Sequence, residues 1–142
     1  MFLGTFTPKL DDKGRFFLPA KFREQLSQGL VITRQQDRCL AIWPPEVFAS
    51  EVATAATGPS TVQRVRDYQR MVSAGASDEL PDSQGRLTVP LPLRTYAGLA
   101  KDIVVIGAYN RLEVWDAARW AEYSAAQEEA FAAMNEEAWG AG

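Results

Sequence analysis

One phrase occurs twice in this chain of 142 residues, and a chain that repeats itself is drawn toward a body with two matching halves. Leu10-Asp11-Asp12-Lys13-Gly14-Arg15-Phe16-Phe17-Leu18-Pro19 returns as Pro81-Asp82-Ser83-Gln84-Gly85-Arg86-Leu87-Thr88-Val89-Pro90. The shared frame is Asp-x-x-Gly-Arg, a short apolar or β-prone run, then Pro, with Arg23 and Arg94 each four residues beyond the Pro. With one residue inserted the echo continues: Leu30-Val31-Ile32 matches Asp102-Ile103-Val104, and Leu40-Ala41-Ile42-Trp43 matches Leu112-Glu113-Val114-Trp115. Convergence explains one such motif but not the whole ordered series. The chain is a duplication.

Each copy reads the same way. Gly14 and Gly85 allow a turn with positive φ, after which Phe16–Leu18 and Leu87–Val89 read as short strands. Pro19 and Pro90 suit the first turn of short helices ending near Leu26 and Ala97, the second closed by Gly98. Strands are expected at Leu30–Arg34, Cys39–Trp43, Ile103–Ile106 and Leu112–Trp115, with a turn at Tyr109-Asn110. Pro44-Pro45-Glu46 opens a helix of about three turns that Gly58-Pro59 stops. Ser60 with Gln63 reads as a capping box for a second helix, whose face carries Val62, Val65, Tyr68, Gln69 and Val72. From an N-cap at Asp116 a long helix is expected, striped by Trp120, Tyr123, Gln127, Phe131 and Met134, with fraying near Gly142.

These elements predict an α+β fold, mainly β: one pseudo-two-fold barrel built from two interleaved ββαβ halves, with helices outside. The units are expected at 5–47 and 76–119, joined by a helical linker at 48–75 and followed by an acidic C-terminal helix at 120–142. A half of roughly forty residues has too little core to stand alone.

Composition narrows the chemistry. There is no histidine, which excludes Ser-His-Asp and Cys-His catalysis and removes the commonest transition-metal ligand. Cys39 is the single cysteine; it permits no internal disulfide and reads as a core residue, in keeping with a reducing compartment. No run approaches the ~18 apolar residues of a membrane span, and the N-terminus lacks the features of a secretory signal. The formal charge of −3 is unevenly spread: residues 1–75 hold 10 Lys/Arg against 7 Asp/Glu, whereas residues 76–142 hold 5 against 11. Such a distribution opposes indiscriminate coating of nucleic acid but leaves room for a local basic site.

The repeated turn is the candidate site. Asp11 and Asp82 can accept turn N–H groups and also hold Arg15 and Arg86, whose planar fork suits a guanine edge or a phosphate. Lys13 and Gln84 occupy the equivalent middle positions as further donors. The competing interpretation makes these Asp–Arg pairs simple structural braces, and a duplicated fold would duplicate its braces. Arg23 and Arg94, on the short helices, suit that bracing role better, with DNA contact as a secondary possibility. Arg64, Arg66 and Arg70 read as a solvated helix face. An acid/base or Mg²⁺ site from Asp11, Asp12 and Asp82 is disfavoured, because no phosphate-cradling glycine loop or metal-spaced cluster accompanies them.

The residues Met1-Phe2-Leu3-Gly4, Asp11–Arg15, Pro19-Ala20-Lys21-Phe22-Arg23, Asp82–Arg86, Val105-Ile106-Gly107 and Asn110–Trp115 together resemble the MraZ transcriptional regulators of bacteria. That resemblance covers nearly the whole chain. It implies two SpoVT-AbrB-type swapped-hairpin units and assembly into a ring-shaped homo-oligomer. It implies binding to double-stranded DNA at short direct promoter repeats of the division and cell-wall gene cluster, usually as a repressor that includes its own gene. Its DNA-contacting loops fall on Asp11–Arg15 and Asp82–Arg86, with Lys13, Arg15 and Arg86 leading, Gln84 beside them, and Asp11, Gly14, Asp82 and Gly85 orienting the loops. No cofactor, metal, membrane or small-molecule substrate is implied, and the location is the cytoplasm, at the nucleoid. One departure is Pro81 before the second Asp, which stiffens the loop entry. The rival from another class is an antitoxin-like protein-interaction module on the same fold, its acidic tail neutralising a basic partner.

Overall fold

The computed structural model of the protein describes residues 1–134; the last eight, including Glu136 and Glu137, lie outside the described residues, as does the fraying expected near Gly142. The strands are β1 (Thr5–Phe6), β2 (Arg15–Phe17), β3 (Leu30–Gln35), β4 (Cys39–Trp43), β5 (Ser77–Glu79), β6 (Arg86–Thr88), β7 (Ile103–Gly107) and β8 (Leu112–Asp116); most are β-prone or apolar, whereas β5, Ser-Asp-Glu, is drawn into the sheet by its pairing with β3. The helices are α1 (Arg23–Leu26, entered through a 3₁₀ turn at Ala20–Phe22), α2 (Pro45–Ala55), α3 (Gln63–Ala74), α4 (Leu91–Ala97) and α5 (Ala117–Ala132). Gly98 ends α4 in the left-handed region at φ 61° and ψ 35°, and Asp116 caps α5 by accepting the Arg119 N–H at 3.2 Å.

The two halves are sewn together. A six-stranded antiparallel sheet runs β1-β7-β8-β4-β3-β5, and β2 and β6 form a separate two-stranded ribbon. Only β3–β4 and β7–β8 are hairpins within a half; β1 crosses to β7, β5 to β3, β6 to β2 and β8 to β4. Two of these registers centre on a dyad. In the ribbon Phe16 faces its repeat counterpart Leu87, and in the sheet Ala41 faces its counterpart Glu113. The mixed α+β class and the interleaved halves are as the sequence suggested.

The barrel is not closed. β1 has two residues and β5 three, too few for a further ladder at the sheet's edges, and β2 and β6 hydrogen-bond only to each other. The ribbon lies over one sheet face instead. Phe16, Leu18, Leu87 and Val89 from the ribbon meet Leu30, Ile32, Leu40, Ile42, Ile103, Val105, Leu112 and Val114 from the sheet in one buried cluster, with Phe22, Leu26, Leu93 and Ala97 closing its ends. The opposite face carries Cys39, Ala41, Trp43, Glu113 and Trp115, also buried, beneath α2, α3 and α5.

Two local expectations need correction. Ser60 does not cap α3: the helix starts at Gln63 with Val62 at its N-cap and no side-chain cap bond, and the Arg66 Nη1 instead donates to the carbonyls of Ser60 and Thr61 at 3.0 and 2.7 Å. Ser60 lies two residues before the N-cap position Val62, so its hydroxyl is not placed to serve the helix N–H groups, and the arginine ties down the carbonyls of the entering turn. The α5 stripe packs only at its start, where Trp120 and Tyr123 lie 5.2 and 4.7 Å from Trp115 between ring centroids, while Phe131 and Met134 are 70% and 50% exposed. Cys39 is a core residue, its Sγ 3.4 Å from the Gln36 carbonyl, and burial pushes its thiol well above the ordinary range.

Phe16 sits on the dyad with 1% of its surface exposed, so Phe16→Ala should destabilise the fold by about 3–5 kcal/mol, the usual cost of emptying a packed aromatic site. Chemical denaturation measures this; a loss under ~1 kcal/mol would mean that the ribbon does not anchor the core.

Candidate nucleic-acid interface

Each loop is held by one aspartate that does three jobs. Asp11 Oδ1 accepts the backbone N–H of Lys13 and of Arg15, both at 2.9 Å, while its Oδ2 accepts the Arg15 Nε at 2.8 Å. Asp82 repeats the set, taking the N–H of Gln84 at 2.9 Å, that of Arg86 at 2.8 Å, and the Arg86 Nε at 2.7 Å. The backbone turns agree as well: Asp11 N–H to Arg15 C=O and Gly14 N–H to Asp11 C=O measure 2.8 and 3.0 Å, against 2.9 and 2.9 Å in the second loop. Pro81 therefore leaves the turn unchanged. The Arg15 and Arg86 amides are the leading cause, and their guanidiniums a further one, that holds both carboxyls below the usual value of 3.8.

Both glycines suit their places. Gly14 and Gly85 have φ of 77° and 81°, and a Cβ on Gly14 would come within 2.7 Å of the Arg94 Cζ and Nε. On Gly85 it would meet the Arg23 Nε at 2.7 Å. Thus the arginine of each half lies over the loop of the other. Arg94 Nε donates to the Val89 carbonyl at 3.0 Å, and Val89 N–H donates to the Gly14 carbonyl at 2.8 Å. Arg23 Nε, Leu18 and Gly85 make the same circuit at 3.0 and 3.0 Å. Bracing by Arg23 and Arg94 fits what their positions suggested; that each braces the opposite copy was not visible in the sequence.

The dyad places the two loops at opposite ends of the short ribbon and brings their arginines onto one face. Arg15 faces Thr88 and Phe17 faces Arg86, so these four share one ribbon face, because opposed and alternate residues point the same way. Arg15 and Arg86 are diagonal neighbours, roughly 7–8 Å apart at Cα. Their side chains are 28% and 24% exposed, their Nε atoms committed to Asp11 and Asp82, and their terminal nitrogens make no hydrogen bond among the described residues. Lys13 and Gln84 are exposed at the loop tips. Phe17, 50% exposed between the two arginines, was not singled out from sequence; strand alternation, with Phe16 buried, was the available signal.

The other candidates separate from this face by their contacts. Arg66 is tied to its own helix start, and Arg70 makes a long 4.0 Å pair with Asp67 on an exposed surface. No group of three or more His, Cys, Asp or Glu side chains is placed to hold a metal ion among the described residues, and no described helix is long and apolar enough to cross a membrane.

The interleaved repeats and their symmetric, arginine-bearing ribbon define a duplicated swapped-hairpin protein that presents one paired head. A sequence model described as "MraZ protein, putative antitoxin-like" matches the chain twice in succession, over residues 1–71 and 72–141. The chain is 65% identical over 134 residues to a protein of Cutibacterium acnes named Transcriptional regulator MraZ, covering 94% of each. Proteins of the same name from Thermobifida fusca and Kineococcus radiotolerans are 55% and 56% identical, with 96% of each chain covered. The chain belongs to the MraZ family, whose curated members are named for transcriptional regulation and not for a catalytic activity.

The lowered Asp11 and Asp82 carboxyls fix the sign of the pH response. Their contribution to loop order is complete above 3.8, the ordinary value, and is lost as pH falls through the lower native one. With no histidine present, the amide resonances of Lys13, Arg15, Gln84 and Arg86 should stay unchanged from roughly pH 8 to pH 5 and move only below about pH 4. A midpoint between roughly pH 5 and 7 would show that these carboxylates do not hold the loops.

Proposed function

We propose that the chain is a sequence-specific DNA-binding transcriptional regulator, a repressor of its own operon in the division and cell-wall gene cluster. It acts in the cytoplasm at the nucleoid. In this reading the units 5–47 and 76–119 jointly supply the β2–β6 ribbon, and the linker 48–75 and the acidic helix from residue 120 stay off the DNA. The observation that carries it is the pair of dyad-related arginines, each locked by an aspartate through Nε and by a turn of backbone, with terminal nitrogens left for a ligand. A preorganised guanidinium loses little freedom on binding, and its remaining N–H groups match the O6 and N7 acceptors of guanine. Two strands roughly 4.8 Å apart fit a major groove about 12 Å wide. Lys13 reaches a phosphate or base from one loop tip and Gln84 a base edge from the other. Asp11, Gly14, Asp82 and Gly85 orient the loops, and Arg23 and Arg94 brace them. The names of the relatives support the same reading.

Removing Arg15 or Arg86 should cost ~1–3 kcal/mol of affinity for the promoter DNA upstream of the gene, while the melting temperature changes little. Fluorescence anisotropy and calorimetry separate the two effects: intact affinity with a large drop in melting temperature would make these arginines braces.

One chain offers only two loops, so affinity for short direct repeats gains from several linked chains at high effective concentration. A ring follows when one heterologous interface repeats with a closing rotation. The unpacked Phe131 of α5 and Met134 just beyond its end supply an apolar face for such a contact, and Glu128 and Glu129 beside them would repel phosphate. Light scattering should therefore show a closed oligomer at micromolar concentration, altered by truncation after Tyr123. A stable monomer with full affinity for one repeat would rule out the ring.

A further inference from the structure

The two halves differ at one place where their counterparts can be compared atom by atom. In the second half Trp115 is fully dressed: its Nε1 donates to Glu113 Oε1 at 3.1 Å, and Trp120 and Tyr123 stack on its ring at 5.2 and 4.7 Å. The repeat offset that matches Trp43 to Trp115 also matches Ala41 to Glu113, Phe48 to Trp120 and Glu51 to Tyr123. The first half has therefore lost both the carboxylate and one aromatic ring. Trp43 is 3% exposed, Phe48 lies 6.4 Å from it, and its buried Nε1 has no hydrogen-bond partner among the described residues. An unpaired buried N–H of this kind is costly and uncommon in a native fold.

A cavity of about 180 Å³ adjoins it. Trp43, Phe48, Val52, Tyr68, Met71 and Val72 form its mainly apolar wall, and Glu51 stands at its lining where the second half has a tyrosine. Arg34 also lines it, with its Nη2 donating to the Met71 carbonyl. An apolar cavity of about 150 Å³ suffices for a benzene ring. Both missing pieces, a ring on Trp43 and an oxygen on its N–H, belong together in a single small molecule.

We propose that this cavity, between α2, α3 and the edge of β3, binds a one-ring aromatic ligand carrying a carbonyl or carboxylate oxygen. The ring takes the place that Tyr123 holds in the other half, and the oxygen accepts from Trp43 as Glu113 does from Trp115. The site is wired to the ribbon. Tyr96 of α4 lines the cavity and donates to the Gln35 carbonyl at 2.6 Å, and Arg94, two residues before it, is the brace over Gly14. Occupancy is thus communicated through α4 to the first loop. That this regulates DNA rests on the proposed function, whereas occupancy itself does not.

The test uses the ¹⁵N-labelled full chain in its native assembly, titrated with benzamide, benzoate and, as a ring lacking oxygen, toluene. The Trp43 indole resonance, assigned with Trp43→Phe, should shift saturably with benzamide or benzoate, and the Gly14 amide should move with the same midpoint. Benzoate favoured over benzamide identifies an anionic ligand, the reverse a neutral carbonyl; either supports the site. Glu51→Tyr, which restores the second half's residue at an exposed helix position, should weaken the oxygen-bearing probes at least roughly tenfold. Trp43→Phe should weaken them by about tenfold, the loss of one hydrogen bond, and toluene less than about twofold. Toluene binding as well as benzamide, or Glu51→Tyr binding unchanged, overturns the proposal. A shift seen only after the assembly dissociates assigns the cavity to a neighbouring copy and also overturns it. Saturation without movement of Gly14 overturns the communication through α4.

Discussion

Everything in this fold depends on antiparallel pairing across a dyad. Phe16 on Leu87 and Ala41 on Glu113 are the two points where a residue meets its own repeat counterpart, and the rest of the ladder follows in both directions from them. Antiparallel geometry satisfies the backbone of both copies with the same set of bonds, so one duplicated sequence closes on itself without a second chain. The pairing also buries the apolar side of the ribbon against the sheet. Neither half could do this alone, since the strands of each complete the ladders of the other.

The candidate site inherits its precision from the same constraint. An arginine on a surface loop would sweep many rotamers, but here the Asp fixes its Nε and backbone while the opposite half's arginine presses on the glycine beneath. Each loop is rigid because the other half is present. Exposed ion pairs are worth little in isolation, so these pairs matter for position more than for stability. The same logic explains why glycine is favoured: a positive φ strains an L side chain, and a Cβ would displace the overlying guanidinium from its carbonyl.

Duplication also lets the halves specialise. The ribbon ends are equal to within 0.1 Å in their key hydrogen bonds, whereas the outer sheet face has diverged. Cys39 and Ala41 stand where the second half has the Arg111–Glu113 pair, and Arg111, while held by Glu113 at 2.8 Å, also lies 5.4 Å over the Trp43 ring. A polar network in one half faces an incompletely filled pocket in the other, on the side of the sheet away from the ribbon.

The sequence by itself determined the repeat, the turn at each Asp-x-x-Gly-Arg, six of the eight described strands, the short helices and the family, but not the edge strands β1 and β5. These are local matters: positive φ at Gly14, proline at a helix start and two-residue alternation act over a few bonds and are written in the order of residues. Only the tertiary structure decided that the sheet stays open, that α3 starts at Gln63 without a side-chain cap from Ser60, and that Arg23 and Arg94 brace the opposite loops. It alone revealed that Trp43 lacks the partner Trp115 has. Those outcomes depend on which distant groups arrive at the same place. A two-residue strand cannot extend a ladder, a hydroxyl two residues short of the N-cap cannot serve the helix N–H groups, and an unpaired indole is visible only once its neighbours are counted in space.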